Sequence, residues 1–179
     1  MTLRGWAKNG WLKPHSPTRD EVAAIFRVID RDLEDARQNL SPDGRFRIGY
    51  NAALQLCTVA LLAEGWKLDR LNGRYRLIVA LPLMFGRTWQ EEADFLEACR
   101  TKQSGLDYDE VGRVTVADAN RLLDLAEDLR EVVAVWIGKR HARLSSGTLK
   151  LPSEKTWMRR RETAMVRLMS PLGQGTGGK

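Results

Sequence analysis

At 179 residues the chain has the length of one ordinary domain with an extension, and it can bury a core without disulfides. Its 43% hydrophobic and 29% charged residues exclude wholesale disorder and fibrous repeats. The net charge of +6 gathers at one end: from Ser146 onward Lys150, Lys155, Arg159, Arg160, Arg161, Arg167 and Lys179 face only Glu154 and Glu162, a net +5 that leaves the rest nearly neutral. No uninterrupted apolar run approaches the ~18 residues that cross a bilayer, and Met1 to Lys13 lack the apolar stretch of a secretory signal. A cytoplasmic protein without membrane contact is therefore expected.

Residues 1–15 carry Trp6, Trp11, Leu12 and Pro14 among Gly and Lys, the composition of an irregular arm whose indoles pack on the domain. After His15 a helix start is marked: Ser16 or Thr18 can cap it, Pro17 suits a first turn, and Thr18 with Glu21 has capping-box spacing. Val22, Ile25, Phe26, Ile29 and Leu33 then recur at helical spacing, which predicts an amphipathic helix to about Arg37. Ser41-Pro42-Asp43-Gly44 reads as a turn and cap. From Phe46 to Leu62 apolar residues occupy most faces, so this helix belongs in the middle and stops at Glu64-Gly65.

Asn72-Gly73 marks a turn, and Arg74 to Met84 predict a shorter apolar helix ended or bent by Pro82 and Gly86. Thr88 with Glu91 repeats the capping-box spacing and opens a helix through Phe95, Leu96, Ala98 and Cys99. Thr101 to Val114 is polar and contains Gly105 and Gly112, which predicts a loop or a frayed helix end. Thr115 and Asp118 mark another start, and Leu122, Leu125, Leu129, Val133 and Ile137 form a long apolar stripe. Beyond His141, Ser145-Ser146-Gly147 and Pro152-Ser153 read as linker, Thr156 to Met169 as a basic marginal helix, and Gly173 to Lys179 as disordered. The expected fold is all-α: an up-and-down bundle of about four to five helices over residues 16–144, between the arm and a basic C-terminal extension at 145–179.

The chemical inventory is small. Cys57 and Cys99 lie in apolar helical patterns and read as buried thiols. His15 and His141 stand at helix ends with no carboxylate pair at metal-ligand spacing, so no metal is expected. No strand-borne glycine-rich phosphate loop exists, and no cofactor is expected. Arg159, Arg160 and Arg161 could neutralise phosphates of a nucleic acid, although solvated tails have the same composition.

Several stretches together resemble bacterial HEPN-domain proteins. They are Glu21 to Ala36, Ser41 to Leu54 with its Tyr50-Asn51-Ala52-Ala53-Leu54 run, Leu61 to Trp66, and Leu96 to Asp109 ending in Asp107-Tyr108-Asp109. The resemblance spans about residues 5–141. It implies a helical bundle, pairing of two copies, and descent from ribonucleases that cut RNA without metal. In that family an arginine followed by a polar residue precedes a histidine or tyrosine; the cation holds the scissile phosphate while the imidazole moves a proton. Here Gln103 and Ser104 stand where the Arg-Asn pair of related branches would be, and Tyr108 stands in place of the histidine. Arg74 likewise occupies a position where relatives carry histidine.

With this eroded motif the resemblance implies a homodimeric module, non-catalytic or weakly catalytic, that binds rather than cuts. Its cleft would comprise Arg100, Lys102, Gln103, Ser104 and Tyr108, with Tyr50, Asn51 and Arg74 beside them. The implied ligand is RNA, a nucleotide or a partner protein, a nucleotidyltransferase among them, in a toxin–antitoxin or defence setting. Two alternatives stand beside it: a metal-independent RNase toxin using Arg100 or Lys102 with Tyr108 as relocated catalytic groups, and a dimeric scaffold without ligand.

Overall fold

The N-terminal arm is ordered by local capping and by a distant partner. In the computed structural model, which describes residues 2–69, 73–106 and 114–145, Thr2 accepts a hydrogen bond from the Gly5 amide at 3.1 Å and starts α1 (Leu3–Lys8). Then β1 (Leu12–Pro14) pairs antiparallel with β2 (Trp66–Leu68), Leu12 opposite Leu68. The expected irregular arm is thus a helix and a strand. Its indoles do pack on the domain: Trp6 is buried, and Trp11 meets it edge to face with centroids 5.8 Å apart.

Thr18 caps α2 (Arg19–Ala36) by accepting from the Glu21 amide at 3.1 Å. The reciprocal half of that box is replaced, because the Glu21 carboxylate engages His15 Nε2 at 3.0 Å. Val22, Phe26, Ile29, Leu33 and Ala36 form the buried stripe. Ser41 accepts from the Gly44 amide at 3.1 Å and caps α3 (Pro42–Ala63), so the Ser41–Gly44 segment is the cap and first turn of that helix. Buried residues run round α3, from Phe46 and Tyr50 through Leu56 and Cys57 to Leu61. By length and composition alone α3 could span a bilayer, yet 72% of that window is buried inside the protein, the condition of a core helix. Gly65, at φ +86°, closes it in the left-handed region that favours glycine.

Past residues 70–72 the expected single helix is two, α4 (Gly73–Val79) and α5 (Leu81–Phe85), separated at Ala80 just before Pro82. Gly86, at φ +96°, ends α5. A 3-10 turn over Arg87–Trp89 then leads into α6 (Gln90–Leu106), and the Thr88 side chain makes no cap hydrogen bond there. The turn tightens the entry by itself, which is why the capping-box spacing of Thr88 and Glu91 goes unused. Helix α6 also runs on through Thr101–Leu106, where a loop or frayed end was expected. Side-chain hydroxyls of Thr101 and Ser104 bond back to the carbonyls of Glu97 and Arg100, so these polar residues are compatible with the helix. Finally α7 (Val116–Arg140) begins with a complete capping box between Thr115 and Asp118.

The four long helices alternate in direction. Asp32 meets Gln55, and Arg45 reaches back to the Gln38 carbonyl, so α2 and α3 are antiparallel. Arg45 bonds Asn120 and Arg140 pairs with Glu64, which makes α3 and α7 parallel. Lys102 meets Asp118 while Arg121 lies over Phe95, which makes α6 and α7 antiparallel. The centre is closed by Ile29, Leu56, Leu61, Leu96, Leu122 and Leu129, all fully buried. The tail from Ser146 onward, with its expected helix over Thr156 to Met169 and disordered Gly173 to Lys179, lies outside the described residues, as does 107–113.

Candidate nucleic-acid interface

Three of the sequence-selected residues converge where α3, α4 and α6 meet. Tyr50 on α3 is fully buried, and its hydroxyl has no hydrogen-bond partner among the described residues. Burial pushes its phenol above the ordinary value, and the positive charges of Arg74 on α4 and Arg100 on α6 act on it in the opposite sense. Arg100 is held by Glu97 one turn earlier through two bonds of 2.8 Å, and this pairing raises its already high pKa. Arg74 is exposed, with neither hydrogen bond nor ion pair among the described residues. The cluster therefore carries two guanidiniums against one carboxylate.

The other members do not share one cleft. Two positions along a helix turn by about 200°, so Lys102 leaves α6 on the side opposite Arg100. Its ammonium donates to Asp118 at 2.6 Å, at the start of α7. Burial pushes Asp118 up, but hydrogen bonds from Lys102 and Thr115 outweigh it and hold this carboxyl below its ordinary value. Lys102 is thus a clamp between helices. Gln103 is buried, and its Oε1 accepts no hydrogen bond among the described residues. Ser104 is exposed, its hydroxyl spent on the Arg100 carbonyl at 3.0 Å, and Asn51 is an exposed neighbour of Tyr50 on α3. Tyr108, Arg159, Arg160 and Arg161 lie outside the described residues.

No imidazole acts on Tyr50 or Arg100. His15 is held by Glu21, and His141 packs edge to face on Trp136 at 4.7 Å with Glu64 3.6 Å away. Among the described residues no group of three or more His, Cys, Asp or Glu side chains is arranged to hold a metal ion. Both thiols are pushed up to about 12, first of all by burial, and are not nucleophilic at neutral pH. The cluster can hold an anion through Arg74 and Arg100, and no histidine stands among its described residues.

Two expectations follow from these environments. Tyr50→Phe removes a buried hydroxyl without a partner, so urea unfolding should show unchanged stability or a gain of up to about 1 kcal/mol. A loss of about 1 kcal/mol or more would mean that the hydroxyl is hydrogen-bonded in solution. For His141, burial lowers the pKa below 6.5 against the opposing pull of Glu64. The unfolded chain then binds more protons than the folded one just below pH 6.5, so His141 lowers stability as pH falls from neutrality towards 5. In His141→Gln the urea midpoint should change less over that range, and a parallel pH dependence in both proteins would contradict this.

Sequence reasoning missed Tyr75 and Glu97. Tyr75 is 48% exposed, next to Arg74 in the chain, and lies near enough to Arg100 to interact with its guanidinium. The basic and aromatic run Arg74-Tyr75-Arg76 was the signal that could have found it. Glu97 stands at the helical spacing that pairs with Arg100. Compared with protein-family models, curated proteins and solved structures, the chain matches none, so the chemistry of the site is carried by the residues just described.

Proposed function

We propose that the chain is an HEPN-like module that binds single-stranded RNA at the meeting of α3, α4 and α6 and does not cut it. The observation that carries this reading is the pairing of two guanidiniums, Arg74 and Arg100, with an exposed phenol, Tyr75, and no imidazole. Guanidiniums hold phosphate as fixed, delocalised cations, and an exposed aromatic ring gives an unpaired base a face to stack on. Cleavage requires a group that takes a proton from the ribose hydroxyl near pH 7. Tyr50, its phenol pushed upward by burial, is unsuited to that role. The basic residues Arg159, Arg160 and Arg161 would add phosphate contacts. A homodimer, with a nucleotidyltransferase as partner in a toxin–antitoxin or defence setting, is the context that the sequence resemblance suggests.

The reading is tested by fluorescence anisotropy of a labelled single-stranded RNA over a series of salt concentrations. The affinity should fall linearly on a log–log plot, and Arg74→Ala should weaken binding and flatten the slope by about 1. Absence of binding by the full chain at low salt would overturn it.

A further inference from the structure

Because α3 and α7 are parallel, their C-terminal ends lie side by side, and the chain turns a corner there. His141 ends α7, and Ala142–Leu144 form a 3-10 turn that sets Leu144 into the core at 1% exposure. Two amides hold the turn: Leu144 donates to the His141 carbonyl at 2.7 Å and Ser145 to the Ala142 carbonyl at 3.1 Å. The His141 ring fills the corner. It meets Trp136 edge to face at 4.7 Å, and Trp136 meets Phe85 of α5 at 5.0 Å. Only 16% of the His141 side chain is exposed, and its Nε2 is shut off from solvent with no hydrogen-bond partner among the described residues.

The charges that act most on this ring come from three elements. Glu64, the C-cap of α3, holds a carboxylate oxygen 3.6 Å from Nε2, beyond hydrogen-bond reach, and Arg140 of α7 claims the same oxygen at 3.3 Å. Arg143, within the turn, adds a second guanidinium. Helix α5 brings the uncharged ring of Phe85, and on α2, which also packs against the turn, Glu21 is engaged by the other imidazole, His15. A neutral imidazole fits this corner. An imidazolium there would face two guanidiniums and a carboxylate already shared, with no acceptor for its Nε2 proton. It gains hydration by leaving, and leaving undoes the turn. We infer that His141, Trp136, Glu64 and the 142–144 turn form an acid-opened latch: below neutral pH the ring leaves the corner and the turn detaches with Leu144, while the bundle stays folded. The sign follows from the environment. Burial holds His141 below 6.5 against the pull of Glu64, so the open corner binds the proton more readily than the closed one, and opening grows as pH falls through 6.5.

The test is native-state hydrogen exchange by NMR on the full chain from about pH 7.5 to about pH 5.5, read as protection factors so that the pH dependence of intrinsic exchange drops out. The His141 ring is titrated in the same samples. Protection of the Leu144 and Ser145 amides should fall about threefold or more as the ring titrates, while the Ala119 amide, bonded to Thr115 at the opposite end of α7, keeps its protection. Glu64→Gln, which removes the charge that favours the protonated ring in place, should deepen the fall. His141→Gln should show no pH dependence at Leu144 and Ser145, whatever its level of protection. Constant or rising protection of these amides in acid would overturn the latch, since the protonated ring would then stay and pair with Glu64. An equal fall at Ala119 would make the loosening global, and an equal fall in His141→Gln would assign it to another group such as His15; either result overturns the latch as well.

Discussion

Reversing both charges at the interface, Arg74→Glu with Arg100→Glu, is expected to weaken binding of single-stranded RNA by about a hundredfold at moderate salt. Each substitution removes a counterion-releasing contact and adds a repulsive one. The second also leaves the Glu97 carboxylate, now bonded twice to Arg100, facing another carboxylate. Neither side chain belongs to the core: Arg74 is exposed, and Arg100 keeps 34% of its side chain in solvent. The melting temperature should therefore move little, which separates loss of binding from loss of fold. Equal affinity in wild type and double variant would remove the cluster from any RNA-binding role, whatever the basic tail contributes.

The largest effect on stability is expected at the centre of the bundle. Leu129 on α7 is fully buried, and Leu129→Ala should cost about 2–5 kcal/mol by losing apolar contact and leaving a cavity. Against a typical total of about 5–15 kcal/mol this is enough to shift the urea midpoint plainly. Val116, at the start of the same helix, is 57% exposed, and Val116→Ala should change stability by less than about 0.5 kcal/mol. Equal effects at the two positions would contradict the burial pattern on which the helical packing rests.

The long helices were legible because their signals are local. Thr18, Ser41 and Thr115 are caps that can be read within four residues, and the apolar stripes of α2 and α7 repeat with the turn of the helix. What could not be read locally depends on distant partners. The strand Leu12–Pro14 exists because Trp66–Leu68 pairs with it across more than fifty residues, and that register leaves no periodic trace in so short a stretch. The continuation of α6 past Thr101 went unread because polar residues there satisfy their hydroxyls within the helix. At the candidate site, Tyr50, Arg74 and Arg100 were found separately in the sequence and meet in the fold. Lys102 was grouped with Arg100 by closeness in sequence, yet helical geometry sends it to Asp118. Tyr75 was passed over because an exposed aromatic next to an arginine becomes informative only when its neighbours from α6 are known.

Binding without cleavage is tested most directly by incubating the full chain with end-labelled single-stranded RNA, without added metal, and following retardation and strand scission on parallel native and denaturing gels. The account predicts retarded, intact RNA with wild-type protein and neither retardation nor scission with the Arg74→Glu/Arg100→Glu variant. Scission by wild type that the double variant abolishes would contradict it and make the cluster a ribonuclease site.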